Sequence, residues 1–298
     1  MKNTVSPMKT MSGSFVNFLR VGLISSVTTI TLSCVSPSHA TVQMLTDSFL
    51  SPNAPTSGAE LNDNLGNRQT GTLVPVGYSS STLNTSLLTG TGYAYLNQSS
   101  NLEINSAVGT HAKVWTTTGF STSAQTTISV DIWPTVTQNP GSGFASFLIG
   151  GGLNNTKAND GVLWAGGAAN AITVSLYGNG LLTIADQSKF DGEGGQNIYW
   201  GAGAFTNNGF KNLSIVSSAF TSGSQTLSFY LDNTPLLENY TRAAGFTSDN
   251  YIGFQAYRNA GATQSNFDNL NVTMIPEPCT TALLGLGGLA LFVVRRRR

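Results

Sequence analysis

Few residues in this chain have the types and spacing for reaction chemistry. Between positions 41 and 274 the one histidine is His111, there is no cysteine, and the glutamates are Glu60, Glu103, Glu193 and Glu238. Glycoside hydrolysis needs two carboxyl groups about 5–10 Å apart, one acting as acid and the other as nucleophile or base. The nearest pair along the chain, Asp191 and Glu193, sits in Asp191-Gly192-Glu193-Gly194-Gly195, a loop too pliant to hold a reacting geometry by itself. His111 lies in Val108-Gly109-Thr110-His111-Ala112, and no Gly-x-Ser-x-Gly element stands elsewhere to raise a nucleophile. One histidine without a cysteine is also too small a ligand set for zinc. No catalytic residue is assigned, and the expectation is a protein that is not an enzyme.

Two other chemistries remain. Sugar rings stack on aromatic faces while amides and hydroxyls bond their oxygens, and this weakly charged chain carries Trp115, Trp133, Trp164, Trp200, Tyr93, Tyr95 and Tyr177. Most of these aromatics are expected to fill the core. Trp133 and Tyr177 fall on the polar phase of their strands and are the candidate glycan contacts. Hard oxygen ligands for calcium occur in the runs Asn154 to Asp160 and Asp191 to Glu193. Asn and Asp are equally the ordinary turn formers, so the expected cofactor is none, with calcium as the alternative.

The elements that must position these groups read as strands. Ile128, Val130 and Ile132 alternate with Ser129, Asp131 and Trp133; Ile172, Val174 and Leu176 alternate with Thr173, Ser175 and Tyr177; Leu227, Phe229 and Leu231 alternate with Ser228 and Tyr230. This is the period of a sheet with one face of each strand buried. Turn signals separate the runs: Gly178-Asn179-Gly180, Asn207-Asn208-Gly209, Thr221 to Ser224 and Asp232-Asn233-Thr234-Pro235. No apolar 3.6-residue period runs for three turns, and no repeat of 20 to 50 residues appears. The fold class expected for residues 41–274 is all-β, an antiparallel β-sandwich of jelly-roll type, flanked by an N-terminal signal helix and a short C-terminal transmembrane helix.

Both flanks read as addresses. Residues 1–20 carry Lys2, Lys9 and Arg20 without an acid, Val21 to Leu32 is mostly apolar, and Ser38-His39-Ala40 offers small residues at the −3 and −1 positions of a cleavage site. Residues 1–40 are therefore expected to be a secretory signal peptide cut after Ala40. At the other end, Pro276-Glu277-Pro278 precedes the apolar stretch Cys279 to Val294 and then Arg295, Arg296, Arg297 and Arg298. Four arginines after an apolar segment hold that end on the cytoplasmic side. The whole of residues 275–298 resembles the PEP-CTERM sorting signal. That resemblance implies an exported protein of a Gram-negative, exopolysaccharide-forming bacterium, the Sec export machinery and an exosortase as partners, and transient residence in the inner membrane before delivery to the cell envelope, surface or extracellular matrix. Cys279 departs from the small or hydroxyl residues usual at that place.

Charge supports an exported cargo. The chain holds 14 basic and 14 acidic residues, only 9% in all. Seven of the basic ones belong to the two flanks, so residues 41–274 are acidic on balance, which argues against a nucleic-acid partner.

A second resemblance lies in the last third. Phe210 to Ser217, Gln225 to Asp232 turning into Pro235-Leu236-Leu237, Tyr251 to Phe254, and Ser265 to Val272 with its Phe267-Asp268-Asn269-Leu270 are similar to the closing strands of concanavalin A-like, laminin G-like jelly rolls. The resemblance covers about residues 125–272 and implies that Phe267, Leu270 and Val272 are buried while Asp268 and Asn269 serve a bulge or edge. That superfamily includes glucanases, whose Glu-x-Asp-x-x-Glu strand pattern is absent here. The function expected is that of a cell-surface or matrix protein that binds polysaccharide. The alternatives are a glycan hydrolase and a purely structural surface protein.

Overall fold

The computed structural model describes residues 41–275 apart from 51–60, 63–64, 80–92, 97–98, 106–109, 122–123, 137–142, 151–170, 187–195, 220–222, 243–248 and 259–262; residues 1–40 and 276–298 also lie outside the described residues. In chain order the strands are β1 (Val42–Asp47), β2 (Gln69–Thr70), β3 (Tyr78–Ser79), β4 (Tyr93–Leu96), β5 (Leu102–Asn105), β6 (Thr110–Thr116), β7 (Phe120–Ser121), β8 (Gln125–Val136) and β9 (Gly143–Gly150). They continue as β10 (Ala171–Tyr177), β11 (Leu182–Asp186), β12 (Gln196–Gly201), β13 (Lys211–Ser217), β14 (Gln225–Leu231), β15 (Thr234–Arg242), β16 (Asp249–Asn250), β17 (Ile252–Arg258) and β18 (Thr263–Ile275). One helical turn, α1 (Leu65–Arg68), leads into β2.

Two antiparallel sheets stack face to face. A nine-stranded sheet runs β15-β14-β13-β8-β18-β1-β2, with β5 also on β18 and β4 on β5; a seven-stranded sheet runs β12-β11-β10-β9-β17-β6-β3. The molecule is an all-β antiparallel sandwich, as the period-two pattern requires. Ile128, Val130 and Ile132 of β8, Ile172, Val174 and Leu176 of β10, and Leu227, Phe229 and Leu231 of β14 all face the core and are buried. An aromatic cluster fills the centre, where Phe254 meets Phe267 at 5.1 Å, Phe147 at 5.7 Å and Phe49 at 5.9 Å between ring centroids.

Turn chemistry sets the registers. Asp232 and Asn233 both adopt positive φ, 49° and 63°, the conformation a two-residue hairpin loop needs to match strand twist. They join β14 to β15 with Leu231 opposite Thr234. The β10–β11 hairpin turns at Gly178-Asn179-Gly180 with Leu176 opposite Leu182. There Gly180 has φ +83°, and a Cβ would come within 2.4 Å of the Phe205 carbonyl oxygen. In β18 the register slips between Asp268 and Asn271 with Asn269 at φ +49°, so the closing strand is bulged. Phe267, Leu270 and Val272 around it are buried.

Two expectations are corrected. One buried face per strand does not hold for β9, buried at all eight positions, nor for β10, buried at all but Tyr177. These strands stand in the middle of the seven-stranded sheet, where outward residues are closed in as well. Of the aromatics expected to fill the core, Trp115 and Trp200 do not: both sit on outward strand phases, as the candidates Trp133 and Tyr177 do. Phe, Ile, Leu and Val side chains, with Tyr78, make the inter-sheet layer instead. Trp164 and the side chains of Tyr93 and Tyr95 lie outside the description.

Among the described residues no helix is long and apolar enough to cross a membrane. The expected signal helix in residues 1–40 and transmembrane helix after Pro278 lie outside the described residues.

Candidate functional site

The outward face of the seven-stranded sheet carries its side chains in rows set by strand register. Tyr177 stands opposite Phe144, which stands opposite Tyr257. Their rings touch in sequence, Phe144 to Tyr177 at 5.1 Å and Phe144 to Tyr257 at 5.2 Å, the latter pair stacked at 28°. The next row is polar: Trp200, Thr183, Ser175, Ser146 and Gln255 lie opposite one another across β12, β11, β10, β9 and β17. The Ser146 and Ser175 hydroxyls are 2.6 Å apart. Beyond it Trp115 lies against Gly253 and packs on Leu148 and Ala171. His111 and Lys113 of β6 stand in register with Tyr257 and Gln255.

Access falls at the β10–β12 end. Ser146, Gln255 and Leu148 in the middle are fully buried, whereas Tyr177 is half-buried and Trp200, on edge strand β12, is 61% exposed. Trp200 is outward because it pairs with Thr183, while Tyr199 pairs with Ile184 and packs on the core. The Tyr177 phenol is pushed up to about 12 by burial, opposed by its hydrogen bond with Thr183, so it stays a neutral hydroxyl at physiological pH. Tyr177 and Trp200 are two strands and one two-residue step apart, about 12 Å by sheet geometry. An exposed indole and a half-buried phenol on one sheet end, with Thr183 buried between them and bonded to the phenol, can stack on and hydrogen-bond a polyhydroxylated ring.

Of the two residues singled out from sequence, Tyr177 belongs to this face and Trp133 does not. Trp133 is on β8, opposite Asn266, on the outward face of the nine-stranded sheet, and its ring packs edge-on against Phe210 at 5.6 Å. The fold thus places the pair on opposite sides of the sandwich. Trp200 is the functional candidate that sequence reasoning did not single out. Pro276, Glu277, Pro278, Arg295 to Arg298, Ala40, the Asp191–Glu193 pair and the Asn154–Asp160 loop lie outside the described residues.

The described carboxylates have their own order. Asp131 and Asp268 are cross-strand partners on the nine-stranded sheet. Asn269 Nδ2 donates to Asp131 Oδ2 at 2.8 Å and to Asp268 Oδ2 at 3.4 Å, and Asn212 Nδ2 donates to Asp131 Oδ1 at 2.7 Å. Burial, then the Asp131 and Asp47 charges, raise the Asp268 carboxyl to about 6 against the opposing backbone N–H of Asn269. The Asn269 amide occupies the gap that a glycosidic bond would need between two catalytic carboxyls. Among the described residues no group of three or more His, Cys, Asp and Glu is placed to hold a metal ion.

No protein-family model matches this chain, and no curated protein matches it. Solved structures do. The carbohydrate recognition domain of Emp46p in its metal-free form is 14% identical over 75% of this chain and 98% of that one, with a TM-score of 0.49. Lectin II from Ulex europaeus is 12% identical over 66% and 97%, with a TM-score of 0.44. The alginate lyase Aly36B is 10% identical over 78% and 96%, with a TM-score of 0.49. The likeness is one of fold, and no ligand, metal or activity passes from these proteins to this one.

Proposed function

We propose that this is an exported cell-surface or extracellular-matrix protein whose β-sandwich binds polysaccharide at the β10–β12 end of its seven-stranded sheet, without catalysing a reaction. The single observation that carries the binding reading is Trp200, a 61% exposed indole in register with Thr183, which in turn hydrogen-bonds the half-buried Tyr177. A solvent-facing indole on an edge strand offers a stacking face, and a pyranose ring fits that apolar face and the half-buried phenol beyond it. The non-catalytic reading is supported by the missing glucanase pattern and by the amide-filled gap between Asp131 and Asp268.

Export, Sec passage, processing after Ala40 and sorting by an exosortase are supported by the order of signal peptide, Pro276-Glu277-Pro278, apolar stretch and arginine cluster. Deleting Arg295 to Arg298 is expected to leave the chain unprocessed at the inner membrane; unchanged size and location after fractionation would refute the sorting reading. For binding, affinity electrophoresis through a panel of polysaccharides is expected to show retardation that Trp200→Ala abolishes. Loss on Trp133→Ala instead would move the site to the other sheet.

A further inference from the structure

We infer that the ligand of this site is a neutral polysaccharide, held by stacking on Trp200 and by amide and hydroxyl contacts, with no ion pair. The inference rests on the carbohydrate reading above and narrows it to one substrate class. Residues 171–186 and 196–210 build β10, β11, β12, the hairpin turn and the lead into β13, and among them Asp186 is the one charged side chain. Asp186 is unavailable to a ligand. It is fully buried on the inter-sheet side, where its carboxylate accepts from Arg242 Nε at 3.2 Å and Tyr240 Oη at 2.8 Å.

The side chains these two segments turn to solvent are uncharged. Besides Trp200 they include exposed Asn197, which stands opposite Ala185 on the outward phase of β12, and exposed Asn179 in the turn beside Tyr177. Among the described residues of these two segments a carboxylated or sulfated polymer meets no counter-charge, Lys189 of the connection 187–195 lying outside the described residues, and bringing its anions against the indole would cost hydration with nothing in return. A neutral chain loses no such hydration. Its C–H faces cover the indole, and its hydroxyls exchange water for amide and phenol partners. The roughly 12 Å from Trp200 to Tyr177 spans more than one ring, so an oligosaccharide gains over a monosaccharide.

The test uses the full chain and three probes: a neutral glucan, a neutral galactan and a polyuronate, each titrated calorimetrically from about 0.05 M to about 0.5 M NaCl, a range over which exposed ion pairs are strongly screened. The expected result is binding to at least one neutral polymer, with affinity unchanged across the salt range and at least about tenfold weaker in Trp200→Ala. Trp200 is mostly exposed, so this variant keeps its fold; Trp200→Phe, which retains a stacking face, is expected to recover part of the affinity. Preferred binding to the polyuronate, weakening with salt and lost in Trp200→Ala, overturns the neutral-ligand inference and leaves the carbohydrate site standing. Binding to none of the probes, or binding insensitive to Trp200→Ala, overturns the site and the inference together.

Discussion

At the scale of single residues, two buried or half-buried aspartates do opposite things. Asp47 is fully buried and accepts hydrogen bonds from the Phe49 N–H at 2.8 Å, Arg68 Nε at 3.0 Å, Gln69 Nε2 at 2.7 Å and Tyr78 Oη at 2.8 Å. Arg68 in turn donates to the Leu61 carbonyl. Asp47→Ala leaves a buried guanidinium without its counter-charge, and urea unfolding is expected to show a loss of about 3–5 kcal/mol. Asp268 works the other way. Its carboxyl is raised to about 6 by burial and by the Asp131 and Asp47 charges, so the folded state holds a proton that the unfolded state releases near pH 4. The stability this proton confers is present below that range and is lost as pH rises through 6. Asp268→Asn is therefore expected to raise the Tm at pH 7 and to leave it nearly unchanged at pH 4; equal shifts at both would refute the assignment. Neither arrangement was legible in the sequence, because Asp131 and Asp268 meet only through the β8–β18 register, and Asp47 meets Tyr78 only when the chain returns through β2 and β3.

At the scale of elements, alternation told inside from outside but not which sheet. Trp133 and Tyr177 were both readable as outward, and both are; that they face away from each other follows from the order in which β8 and β10 pair, which no local pattern encodes. Trp200 was hidden for a different reason. Pairing of β12 slips between Ile184 and Ala185, so a bulge interrupts the alternation in Gln196-Asn197-Ile198-Tyr199-Trp200 and no phase can be assigned from sequence. The β17–β6 pair shows how closely an element can be fitted to a neighbour's ring. A Cβ on Gly253 would stand 2.7 Å from Cε3 and Cζ3 of Trp115, so the glycine makes the flat seat on which the indole lies. Gly253→Ala is expected to displace the ring, to cost about 1–3 kcal/mol, and to shift Trp emission toward the red as the half-buried indole gains water.

At the scale of the whole molecule, the two sheets are held by apolar burial and, at one end, by a charged clamp. Arg242 closes β15, the edge strand of the nine-stranded sheet, and Asp186 closes β11 of the seven-stranded sheet; both are fully buried, with Nε to Oδ1 at 3.2 Å. Burial lowers the Arg242 guanidinium from its usual range while Asp186 opposes that, and burial together with Asp186 raises the Tyr240 phenol. Two desolvated charges held this way specify how the sheets align more than they stabilise the alignment, since their attraction offsets a large dehydration cost. A double-mutant cycle separates the two roles. Arg242→Met and Asp186→Leu alone are each expected to cost about 3–5 kcal/mol, because each strands the opposite charge in the interior. The double variant is expected to lie within about 1 kcal/mol of the parent, since both charges are then gone and similar volume remains. A double variant several kcal/mol below the parent, yet less so than the sum of the single losses, would show instead that the clamp contributes net stability, and strictly additive losses would show that the two charges do not act as a pair. In the near-neutral case, the carbohydrate assay on the double variant decides whether alignment matters to function. Asp186 closes the strand that carries Thr183, so a slipped sheet end would keep its stability and lose the Trp200-dependent retardation.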